Sequence, residues 1–157
     1  MNILVVGTEG FLSDSFFERH YVTVGGPHVS KSSCLDVWHQ LDITSIISTT
    51  NFVSSLTLAG DKFDAIVCCF EVETDENVSG IIKTRFLIDS LVSNPLNMIQ
   101  MLYMNNLVRP GCRFISYTDG RFNDNYRSIF EQAAKFVLDI MFVSVNSEDT
   151  LNSVLGE

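Results

Sequence analysis

Basic residues are scarce in this chain of 157 residues: ten Lys and Arg stand against nineteen Asp and Glu, a formal net charge of −9. The ten never gather into a run. Nucleic acid and anionic membrane surfaces both attract clustered positive charge, so neither is expected as a partner. Long apolar runs are missing as well. No stretch approaches the roughly eighteen residues of a membrane span. Gly7 interrupts the first apolar run after four residues, which leaves the start without the long apolar centre of a secretory leader. Cys34, Cys68, Cys69 and Cys112 show no C-x-x-C spacing, and His20, His28 and His39 are scattered. No metal site is therefore expected. The thiols read as reduced core residues of a cytoplasmic protein.

Apolar residues, by contrast, are abundant. They make up 46% of the chain, and Phe alone occurs twelve times. That is enough to build one domain with a real core over residues 1–157, with 146–157 as a short acidic tail. An acidic mimic of nucleic acid would need carboxylates arrayed on one face. Here they are dispersed except at Glu71, Glu73, Asp75 and Glu76.

The chain is organised around Asn2–Ser13. Ile3–Val6 is a continuous apolar run without helical spacing, as in a strand buried on both faces, and it stops at Gly7. Gly10 follows, and Phe11, Leu12, Phe16 and Phe17 recur at helical spacing up to about His20. Strand, glycine turn and helix form the first half of a nucleotide-binding βαβ unit. In such a unit, glycines let the backbone approach a pyrophosphate and the helix start offers free N–H groups.

The remaining elements follow in order. Tyr21–Val24 reads as a second strand closed by Gly25-Gly26-Pro27, and 28–33 as an abbreviated crossover. Leu35–Leu41 reads as a third strand, and Thr44–Leu58 as a helix with apolar positions at Ile46, Ile47, Phe52, Val53 and Leu56. Asp42, at that junction, is a candidate helix cap. Ala65–Cys69 is the clearest further strand. Its vicinal cysteines are core thiols, since adjacent cysteines pair only through a strained ring. Residues 81–92 and 95–108 read as two helices broken at Asn94-Pro95. Cys112–Ser116, a helix from Tyr126 to about Met141, and Phe142–Val145 complete a three-layer, doubly wound α/β domain. Its sheet is mostly parallel, with about six strands.

Gly7-Thr8-Glu9-Gly10-Phe11-Leu12-Ser13 resembles the Gly-x-x-Gly-Phe-Leu-Gly turn of the short-chain dehydrogenase/reductase superfamily, with Ser13 at the third glycine. Asp42-Ile43-Thr44 is similar to the family's Asp-hydrophobic-Thr/Ser, where the aspartate holds the adenine amino group. Residues 112–116 resemble the strand that ends in the catalytic serine. The resemblance implies NAD(P) bound through Gly7, Thr8, Gly10, Phe11, Leu12 and Asp42. It implies Ser116 and Tyr126 as the vestiges of a catalytic pair. The second strand ends at Gly25-Gly26 with no charge before Lys31, so NAD and NADP are not distinguished.

Three departures count against catalysis. The family pairs its tyrosine with a lysine four residues on, one helical turn away, which tunes the tyrosine as a proton donor. Four residues after Tyr126 stands Phe130. Lys135 is nine residues on, about 900° around the helix and about 13 Å along it. Phe70 and Glu71 stand where small residues let the cofactor's ribose and nicotinamide pass. Full-length relatives also carry a substrate region after the sixth strand that has no counterpart here.

The chain thus resembles a degenerate, trimmed relative. The leading expectation is a non-catalytic Rossmann scaffold engaged in protein contacts. The resemblance places self-association, or a place in a larger assembly, on the helices in 81–108 and 126–141. The alternative is a minimal NAD(P)-dependent oxidoreductase or dinucleotide-binding sensor.

Overall fold

The computed structural model describes residues 1–28, 34–72, 80–118 and 124–156. The crossover around Lys31, the acidic loop over 73–78 and the polar loop over 119–123 lie largely or wholly outside these residues.

Six strands form one parallel sheet: β1 (Asn2–Gly7), β2 (Tyr21–Gly26), β3 (Val37–Gln40), β4 (Phe63–Cys69), β5 (Val108–Tyr117) and β6 (Phe142–Val145). Their order is β3-β2-β1-β4-β5-β6. The chain builds outward from β1 in one direction, then crosses back and builds outward from β4 in the other. The crevice between the carboxyl ends of β1 and β4 is where ligands bind in sheets of this kind. The doubly wound expectation holds, and the sheet is wholly parallel.

Alternation along β1 explains its unbroken apolar run. Leu4 and Val6 enter one core cluster with Phe52, Ile66, Met98 and Phe130. Ile3 and Val5 enter the other with Phe16, Val67 and Leu151. Helices α2 (Ile46–Ala59), α4 (Asn94–Met104) and α5 (Asp124–Leu138) contribute to the first cluster. Helices α1 (Asp14–Arg19) and α6 (Glu148–Leu155) contribute to the second. Both faces are covered, so neither face of β1 can be polar.

Three expectations need correction. Asn94-Pro95 does not break the helical path. Helix α3 (Gly80–Ile88) passes through a π-turn at Asp89–Ser93 directly into α4. Proline lacks an N–H and crowds the carbonyl four residues back. The wider turn accommodates this, with the Asn94 N–H reaching back to the Asp89 carbonyl. Next, α4 ends at Met104 rather than near Val108. Asn106 takes a left-handed φ of 58°, and the Phe63 N–H bonds the Leu107 carbonyl, so the chain is already joining the sheet. Finally, 146–157 is no tail. Ser147 caps α6 by accepting from the Thr150 N–H, and Thr150 Oγ1 accepts from the Ser147 N–H. Leu151 and Leu155 are buried against the sheet.

Candidate functional site

Gly7 ends β1 with φ +110°, and a Cβ there would stand 1.7 Å from the Cys69 carbonyl oxygen. Only glycine allows β1 to run this close to the end of β4. The Thr8 N–H then donates to that same carbonyl at 3.1 Å. On the other side, a Cβ on Gly26 would come within 2.6 Å of the Gly7 carbonyl oxygen. Three strand ends therefore meet backbone to backbone. Gly10 is different: a Cβ there would meet nothing within 4 Å.

Several N–H groups of the turn are already used within the chain. Leu12 donates to the Glu9 carbonyl at 2.9 Å, and Phe16 to the Ser13 carbonyl at 3.0 Å. Ser13 donates both its N–H (2.6 Å) and its hydroxyl (2.8 Å) to the carboxylate of Glu148. Arg19 closes this group with a 3.6 Å ion pair to Glu148. The serine at the third glycine position thus caps α1 and ties it to α6. Phe11 stacks on Tyr117 at the end of β5, ring centroids 3.7 Å apart and nearly parallel at 8°.

Asp42 is exposed, and its Oδ1 accepts from the Thr44 N–H at 3.0 Å and the Thr44 hydroxyl at 2.7 Å. The capping role expected of Asp42 falls instead to Ser45, whose side chain accepts from the Ser48 N–H at the start of α2. Asp42 also lines a cleft of about 400 Å³, with Gly7, Thr8, Pro27, His28, Leu41, Ile43, Thr44, Phe70, Glu71 and Val72. The cleft lies over the ends of β1–β4, and its size suits a small-molecule ligand.

Beyond Phe70 and Glu71, at the ends of β4 and β5, lies a second cleft of only about 40 Å³. It is lined by those two residues with Cys68, Cys69, Leu91, Ser116, Tyr117, Thr118, Arg127 and Phe130. Ser116 is therefore at the expected strand end, buried beside Cys68 of β4 and Ser144 of β6. Tyr126 occupies the first turn of α5 but is not among the lining residues; its neighbour Arg127 is. Arg127 is held by Glu131 (3.2 Å) and Ser144 (3.0 Å), joining α5 to β6. Phe130, at the lysine position, is 1% exposed. Its ring lies 5.9 Å from Phe70 and 5.0 Å from Phe142. Lys135 is exposed on the same helix.

None of the four cysteines forms a disulfide. Burial pushes the Cys68 thiol far up, with the neighbouring Cys69 adding to the shift. Burial and then the charge of Asp64 push Cys112 up to about 12. These two thiols stay protonated at neutral pH and offer no nucleophile.

Arg127 and Glu131 were not singled out from the sequence, where their i,i+4 spacing was the available signal. Glu148 had no such signal, because its partner Ser13 lies 135 positions away.

No family model and no curated protein matches this sequence. Solved structures do match. A short chain dehydrogenase family protein from Francisella tularensis subsp. tularensis SCHU S4 aligns with a TM-score of 0.58 at 15% identity, over 88% of this chain and 63% of that one. The FabI–NADH complex from Alistipes finegoldii gives 0.62 at 14% identity, over 86% and 59%. A short-chain dehydrogenase/reductase from Burkholderia vietnamiensis gives 0.62 at 11% identity, over 98% and 88%. The chain thus spans about three fifths of the length of the first two. The protein has the Rossmann fold of the short-chain dehydrogenases and reductases, as the turn at Gly7 led one to expect.

NAD(P) is the cofactor this fold implies. Among the described residues, the larger cleft has the room its adenosine end would need. Asp42 and the apolar walls of the larger cleft offer that half a place, while the Ser116 side has about a tenth of the room. Among the described residues lining the larger cleft there is no Lys or Arg to meet a pyrophosphate.

Proposed function

We propose that this chain is a non-catalytic scaffold derived from a short-chain dehydrogenase, kept for contacts with other protein in the cytoplasm. The observation that supports this most directly is Phe130. The helical position that must carry a cation beside Tyr126 carries instead a ring packed between Phe70 and Phe142. A lysine could not replace it without taking an unpaired charge into an apolar cluster. Ser116 and Tyr126 are then remnants of the catalytic pair.

The contacts would be made by the helices within 81–108 and 126–141, with the chain's own copy or a larger assembly. Ile81, Ile82, Ile129, Phe136 and Val137 are exposed there, and exposed apolar surface of this kind marks interaction sites. Two measurements test the reading. Absorbance at the reduced-nicotinamide band should not change when NADH or NADPH is mixed with the protein and a panel of carbonyl compounds. Sedimentation velocity should show a species larger than one chain, which Phe136→Glu shifts to the monomer. Turnover of either cofactor, lost on Tyr126→Phe, would establish the oxidoreductase reading instead.

A further inference from the structure

We propose that the cleft over the ends of β1–β4 takes a nucleoside without phosphate, and discriminates against the dinucleotide its fold implies. The proposal rests on the reading that the Ser116 side is closed. The cleft holds about 400 Å³, room for a base and a ribose. Its apolar walls, Pro27, Leu41, Ile43, Phe70 and Val72, offer a flat base the burial that a bare sugar cannot use. Its carboxylates, Asp42 and Glu71, accept hydrogen bonds from hydroxyl and exocyclic amino groups. The Asp42 carboxylate is held in place by Thr44, which donates twice to Oδ1.

The same features repel phosphate. Two carboxylates line a cleft with no Lys or Arg among its described residues, so an added dianion meets like charge. Three backbone donors of the turn are already engaged: Thr8 with Cys69, Leu12 with Glu9, and Ser13 with Glu148. Glu148 thus places a carboxylate on the N–H that opens α1. Phe70, packed on Phe130, lines both the large cleft and the small one, and among the described residues the small one leaves little room for the second half of a dinucleotide.

Titration calorimetry of the full chain with adenosine, AMP and NAD⁺ tests this order. Adenosine should bind at least tenfold more tightly than AMP, and NAD⁺ no more tightly than AMP. Glu71→Gln keeps a hydrogen-bond acceptor and removes a charge. It should narrow the adenosine-to-AMP ratio severalfold, because AMP gains from the lost repulsion and adenosine does not. Binding of AMP or NAD⁺ as tightly as adenosine overturns the proposal, as does the absence of adenosine binding at millimolar concentration. Hydride transfer is read separately by absorbance. Activity would overturn the scaffold reading, whereas a reversed binding order without activity would overturn the nucleoside proposal alone.

Discussion

The carboxyl edge of the sheet has two unlike halves. Over β1 and β2 the strand ends are glycines, Gly7 and Gly26, that meet neighbouring backbone closely, and the cleft on this side holds about 400 Å³. Over β4 and β5 the strand ends carry Cys69, Phe70 and Tyr117, and about 40 Å³ remains. Both halves belong to one sheet with a continuous core, so the difference comes from side-chain volume, not from fold. Aromatic packing across Phe70, Phe130 and Phe142 turns what the fold offers as a reaction site into core. The two halves of one sheet edge can therefore differ this far, because different strands build them.

That contrast can be broken at its root. Gly7→Ala should be the most damaging change, at about 4 kcal/mol or more, since its Cβ would collide with backbone and its φ disfavours any side chain. Urea unfolding, or failure to recover folded protein, reads this. Phe130→Ala comes next, at about 3–5 kcal/mol by the same method. Phe130→Lys should cost at least as much and restore no activity, because the cation would enter an apolar cluster. Phe70→Ala sharpens the comparison further. Half-buried, it should cost about 2 kcal/mol, and by joining the two clefts it should raise NAD⁺ affinity relative to adenosine in calorimetry.

Smaller effects lie at the rim. Ser13→Ala removes the cap of α1 and one of two bonds to Glu148, and should cost about 1 kcal/mol in urea unfolding. It should leave adenosine binding intact. The last test uses pH. The folded-state values of Cys68 and Cys112 are raised above the ordinary 9.0. Their contribution to stability is therefore complete below pH 9.0 and is lost as pH rises toward the folded values. Thermal midpoints should hold steady through neutral pH and fall above 9.0, with a smaller fall in Cys112→Ala.

The strand at Ile3–Val6, the turn at Gly7 and the strand at Phe142–Val145 were all readable, because local apolar runs and glycines report directly on strand burial and tight turns. So were the absence of a lysine beside Tyr126 and the bulk of Phe70. Less legible was the stretch from Ile81 to Val108. Proline signalled a disturbance there, but whether it would break the helix or widen one turn depended on the packing of the π-turn against α5. Residues 148–155 were misread as a tail. Their acidic start concealed Leu151 and Leu155, whose spacing over one turn is too short a pattern to stand out.

The sequence alone determined which strands are buried on both faces, where the chain must turn, and that no cation lies one turn beyond Tyr126. These follow from residue type and near-neighbour spacing, which the chain carries without folding. Only the tertiary structure decided that Phe130 would close on Phe70, that Arg127 rather than Tyr126 would line the cleft at Ser116, and that Glu148 would seat on Ser13. Each of those joins positions tens of residues apart. Their proximity is set by the order of strands in the sheet, which no local pattern records.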